Sequence, residues 1–103
     1  MKEFRDFEGR KLRLSEERER HILEHPEMKA MMPAIKETLQ APEKLVQSLS
    51  DPEARLYYRL YRETPVGEKY LCVTVKVRAE NSFVLTAYLT DRVKKGGVLW
   101  PRK

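Results

Sequence analysis

Three runs between residues 54 and 90 alternate apolar and polar side chains, and this period of two constrains the fold more than any other feature of the chain. In "ARLYYRLYRE", Ala54, Leu56, Tyr58 and Leu60 fall on one side of an extended strand, and Arg55, Tyr57, Arg59 and Tyr61 on the other. In "KYLCVTVKVR", Leu71, Val73, Val75 and Val77 lie opposite Tyr70, Cys72, Thr74, Lys76 and Arg78. In "FVLTAYLT", Phe83, Leu85, Ala87 and Leu89 lie opposite Val84, Thr86, Tyr88 and Thr90. The segments between them, "TPVGE" and "AENS", are turn chemistry. One greasy face and one polar face on three consecutive strands predict an antiparallel meander with helices over the apolar side.

The helices are expected upstream. Ser15 is a good N-cap, and Glu16 and Glu17 follow where a helix dipole favours acids. A first helix should run from Ser15 to about His25, because Pro26 disfavours helical backbone at the residue before it. Met28, Met31, Met32, Ile35 and Leu39 then recur in steps of three and four. Pro33 interrupts this stripe, which predicts either a kink or a turn at 27–31 followed by a helix from about 32 to 40. Residues 1–14 read as an arm with a short strand over Arg10–Leu14, and "KLVQSL" reads as another short strand. Val98–Trp100 is a candidate closing edge strand, with Trp100 packed on the sheet. The expected fold is therefore α+β, in one domain over residues 1–103. The helical part spans 15–40 and packs on one face of an antiparallel sheet of about four strands within 43–101.

Charge narrows the partners. Residues 1–40 hold nine Lys/Arg and nine Asp/Glu, whereas residues 41–103 hold twelve and seven and so carry the whole net charge of +5. A basic half favours an anionic partner such as nucleic acid or an acidic protein. Cys72 is the single cysteine, so no internal disulfide forms, which suits a reducing cytosol. No segment approaches the ~20 apolar residues of a membrane span, and "MKEFRDFEGRK" lacks an apolar signal core. A cytoplasmic protein without membrane contact is expected.

The face that the helices leave open is expected to present Arg55, Tyr57, Arg59, Tyr61, Tyr70, Lys76, Arg78, Thr86 and Tyr88. Guanidinium forks bind phosphate, and phenol rings offer stacking surfaces to unpaired bases. Arg55, Tyr57, Lys76 and Arg78, with Lys94 and Lys95 of the basic tail "DRVKKGG", are therefore candidate nucleic-acid contacts. The same residue types are also ordinary strand formers and solvent-facing cations. "HILEH", from His21 to His25, matches H-x-x-E-H, an inverted zinc-protease pattern. A zinc site needs a third protein ligand, and the chain has only these two histidines. No metal and no cofactor are expected. Packing or capping, and metal-free acid–base chemistry, remain open for both imidazoles.

The segments "LSEERERHILEHPEM", "ETLQAPEKL", "DPEARLYYRLY", "KYLCVTVKV", "SFVLTAYLTDRVKKG" and "LWP", in that order, resemble the phage-associated barnase–EndoU–colicin–RelE-like group of nuclease domains. The resemblance covers Arg13 to Pro101. It implies a metal-independent ribonuclease acting on single-stranded RNA or tRNA, in a toxin or phage setting with a protein antitoxin or immunity partner. It also implies a catalytic set of His21, His25, Arg59, Thr86 and Tyr88, with Arg55 as an alternative to Arg59. In such a reaction a base takes the ribose 2′-OH proton, the oxygen attacks the adjacent phosphate, and a cation stabilises the transition state. The competing expectation is a non-catalytic module that holds RNA or a protein through the basic sheet face. Histidines near an arginine and a hydroxyl in one pocket favour the enzyme, and histidines far from such a pocket favour the module.

Overall fold

The described residues form seven strands where the sequence pattern predicts about four, and the sheet is mixed where it predicts an antiparallel one. A computed structural model describes residues 1–101. In chain order the elements are β1 (Lys2–Arg5), β2 (Lys11–Leu14), α1 (Glu16–Leu23), a 3-10 turn (Pro26–Met28), α2 (Met32–Gln40), β3 (Lys44–Gln47), β4 (Ala54–Tyr61), β5 (Lys69–Lys76), β6 (Phe83–Thr90) and β7 (Gly97–Trp100). The sheet order is β1-β2-β6-β5-β4-β3-β7. The expected meander of β4, β5 and β6 forms its centre. The expected arm is a β1–β2 hairpin that joins one edge. There Arg13 lies beside Phe83 in parallel register, which makes the sheet mixed. β7 closes the other edge against β3. Of the four-residue strands, β2, β3 and β7 fall where short strands are expected and β1 does not; so short an alternation does not fix a strand's place or direction in the sheet.

The helices form where their signals lie. Ser15 accepts a hydrogen bond from the Arg18 amide at 3.2 Å, and Glu16, Glu17 and Glu19 occupy the first turn. His25 is extended (ψ 116°), as expected of a residue before proline, and α1 ends at Leu23. Pro33 sits in the first turn of α2, so the chain restarts there rather than kinking. Ile22, Met28, Ile35 and Leu39 are fully buried against Leu71, Val73, Val75, Val84 and Ala87. Each such side chain contributes about 1.5–3 kcal/mol.

A second, smaller apolar cluster lies on the opposite face and joins Val46, Leu56, Tyr58 and Cys72. Its cover is the segment 91–96, which links β6 to β7. Those strands stand four places apart, about 19 Å at ~4.8 Å per place. Thr90 is level with Leu60 and Gly97 with Arg55, which adds about 17 Å along the strands. Seven residue steps link them, and this strap crosses the sheet diagonally, with bends at Asp91, Arg92 and Gly96 and the Arg92 amide donating to the Thr90 hydroxyl at 3.3 Å. Val93 packs on the cluster, and the Lys94 amide donates to the Tyr58 hydroxyl at 3.1 Å. At its far end Gly96 touches β3 so closely that a Cβ would stand 2.3 Å from the Gln47 carbonyl oxygen and 2.6 Å from Val46 Cγ1. Gly96→Ala is therefore expected to destabilise the domain by about 1–3 kcal/mol through forced displacement of the strap. Thermal melting checks this, and an unchanged midpoint contradicts the close approach of Gly96 to β3.

Candidate nucleic-acid interface

β4 is turned over relative to the predicted face. Tyr57 pairs across the sheet with Val73, and Val73 with Ala87, so it faces the helical layer. It is fully buried, and its hydroxyl donates to Asp6 Oδ2 at 2.6 Å. Asp6 also accepts the Glu8 and Arg10 amides and the Arg10 guanidinium. Burial and the adjoining carboxylate raise the Tyr57 pKa. Tyr57 therefore offers no ring to a base, against expectation. Arg59 shares that side and is spent on α2: it donates to the Ala41 carbonyl at 2.7 Å and approaches Glu37 at 3.5 Å. A cation at the end of a helix complements the dipole there, so Arg59 has a structural partner in place of the predicted catalytic one. Tyr61 is likewise held by Glu37 at 2.6 Å. Arg55 lies on the same side as Tyr57, away from Thr86 and Tyr88.

The open face is built by β5, β6, the strap and the β3–β4 turn. Thr74, Thr86, Tyr88, Lys94 and Lys95 line one groove of about 420 Å³, whose near wall is Ser48 to Asp51. Lys94 and Lys95 have no carboxylate within 4 Å among the described residues, and the Lys94 ammonium lies 5.9 Å from the Tyr88 ring centroid. Lys76, predicted to contact nucleic acid, is instead bonded to Asp51 and lies 3.9 Å from Glu53. Its hydrogen bond holds the Asp51 carboxyl below the usual range. Arg78 is 3.5 Å from Glu53 and stacks on Phe83. The Tyr88 hydroxyl is buried and finds no hydrogen-bond partner of normal geometry; the Cys72 thiol beside it is a weak one. Burial pushes the Cys72 thiol up from its ordinary value.

The five residues of the predicted catalytic set do not meet. His21 projects from α1 with 66% of its side chain exposed, 3.9 Å from Glu24 and 4.0 Å from Glu17. His25 is equally open, 3.7 Å from Glu27. Both belong to the helical layer, Arg59 is tied to the end of α2, and Thr86 and Tyr88 look out from the other side of the sheet. No histidine lines the groove. Among the described residues no three His, Cys, Asp or Glu side chains are gathered as a metal site, and no helix is long and apolar enough to cross a membrane. The sequence reading missed Ser48 and Ser50 as groove residues. "SLSD", between a short strand and an alternating one, was the available signal, since serines in such a turn project at a strand end.

No family model, no curated protein and no solved structure matches this chain, so its functional reading rests on geometry.

Burial carries a pH consequence. Tyr58 and Tyr61 are each pushed up to about 12 from 10.0, mainly by desolvation, and Tyr57 and Tyr88 are raised as well. The unfolded chain loses these protons near pH 10.0, while the folded protein keeps them. The folded state then binds more protons, so stability is full below pH 10.0 and falls as pH rises towards about 12. Urea midpoints on the two sides of pH 10.0 check this; a midpoint that holds steady into that alkaline range contradicts the burial of the phenols.

Proposed function

We propose that this domain is a non-catalytic RNA-binding module that holds single-stranded RNA along the groove of its open sheet face. The observation that carries the reading is the convergence of Lys94 and Lys95, unpaired among the described residues, with Thr86, Thr74, Ser48 and Ser50 beside the Tyr88 ring. Cations follow a phosphate backbone, hydroxyls donate to phosphoryl oxygens, and an aromatic edge favours unstacked bases. Cleavage needs a proton acceptor near the ribose and a donor for the leaving oxygen. The groove's one carboxylate, Asp51, is engaged by Lys76, and both imidazoles are on the helical layer. Binding without chemistry is what this set of groups can do.

The test is affinity for a labelled single-stranded oligoribonucleotide as a function of salt. Replacing both Lys94 and Lys95 by alanine is expected to weaken binding by about tenfold at low salt and to flatten the log–log salt slope by about 1.4, at ~0.7 per lost phosphate contact. The RNA is expected to stay intact with the wild-type protein, and His21→Ala to bind like wild type. RNA cleavage that disappears in His21→Ala contradicts the proposal and restores the ribonuclease expectation.

A further inference from the structure

A larger concavity than the groove lies elsewhere. A cleft of about 600 Å³ opens on the helical side of the sheet, beyond the edge of α2, between the β1–β2 turn and β7. Phe7, Glu8, Arg10, Leu45, Arg55 and Trp100 are among the residues that line it. Small-molecule sites typically enclose about 300–1,000 Å³.

Three features give it chemical character. Trp100 leaves 38% of its surface exposed while its ring leans on Phe7, with centroids 5.2 Å apart. The two rings meet at a tilted 49°, and the exposed part of the indole offers surface on which a base can stack. Arg55 is half-buried, yet among the described residues its guanidinium has no hydrogen bond and no carboxylate within 4 Å. Five donors held in a partly dry site without an acceptor favour a ligand that brings one, and a phosphate matches the planar fork. Arg10, by contrast, is committed to Asp6 at 2.8 Å and leans 3.6 Å from Glu8. The Glu8 carboxylate, less than half exposed, remains able to accept from N–H groups on the edge of a base.

We propose that this cleft binds a nucleotide, with its base on Trp100 and its phosphate on Arg55. The ligand is either a free nucleoside monophosphate or the terminal nucleotide of a strand, since both offer one base and one accessible phosphate. The site is separate from the groove, because Arg55 and Thr86 face opposite sides of the sheet. One site can fail without the other.

Trp100 is the only tryptophan, so its emission reports on this cleft alone. The experiment titrates the full chain with adenosine monophosphate, adenosine, inorganic phosphate and a short oligoadenylate. Saturable quenching by adenosine monophosphate is expected, with adenosine and phosphate each weaker by about tenfold or more, since each lacks one of the two contacts. Arg55→Ala is expected to weaken the nucleotide by a similar factor, and Arg62→Ala, which removes a remote exposed cation, to leave it unchanged. If Arg55→Ala does not fold by circular dichroism, Arg55→Lys replaces it; losing the fork while keeping the charge is still expected to weaken binding. Oligoadenylate that binds more tightly than the monomer, with the same dependence on Arg55, identifies a strand end; equal or weaker binding identifies the free nucleotide. No quenching at millimolar adenosine monophosphate overturns the proposal, as does quenching that survives the Arg55 substitution. Phosphate that binds as well as the nucleotide also overturns it, because the cleft is then an anion site without base recognition.

Discussion

The hydrogen bond from Tyr57 to Asp6 organises much of this molecule. Asp6 sits in the β1–β2 turn with its carboxylate wholly buried, and a buried charge is tolerated only when its lone pairs are met. Two backbone amides, the Arg10 guanidinium and the Tyr57 hydroxyl meet them. The phenol comes from the middle of the sheet, 51 residues away. One contact thus fixes the hairpin against the helical side, where the Phe7 amide also bonds to the Leu39 carbonyl at 2.9 Å. It also fixes which way β4 faces. Once Tyr57 points to the helices, Arg55, Arg59 and Tyr61 go with it, and Leu56 and Tyr58 take the other side.

That choice leaves an apolar strip on the open face, and the strap covers it. Val93 packs on that strip, so the lysines of segment 91–96 are held over the sheet instead of trailing in solvent. The Lys94 amide on the Tyr58 hydroxyl sets the position, and the Lys94 ammonium falls beside Tyr88. The basic character read from "DRVKKGG" becomes a located feature by this route. The groove is a consequence of how β6 is connected to β7, not of the strand alternation alone.

Elements set by near neighbours in the chain are legible in the sequence. The Ser15 cap, the break at Pro26, the restart at Pro33 and the β4–β5–β6 order all depend on residues a few positions apart. Two things were not legible. In "ARLYYRLY" both faces carry large apolar groups, and Tyr57 and Tyr58 are adjacent and both fully buried. The period of two is visible in such a run, but its sign is set by a distant carboxylate. On β6 a register shift opposite Thr74 and Val75 moves Val84 to the helical cluster beside Ala87 and Leu89, so strict alternation through Phe83 and Leu85 fails there. A single extra residue exchanges the two faces of a strand. The candidate site suffered from the first of these: Arg55, Tyr57 and Arg59 were grouped with Thr86 and Tyr88 although the sheet separates them. The histidines were placed correctly on α1 and at its end, but a helix period says nothing about which face of the sheet the helix covers.

The central claim is that RNA meets the strap face while the helical layer and its imidazoles stand apart. Residue-resolved NMR of the protein with a short single-stranded oligoribonucleotide tests it most directly. The expected result is shifts concentrated at Thr74, Thr86, Tyr88, Lys94 and Lys95, with the His21 and His25 ring resonances unmoved and the RNA intact at the end of the titration. Shifts centred on the two imidazoles, with accumulating RNA fragments, would contradict the account.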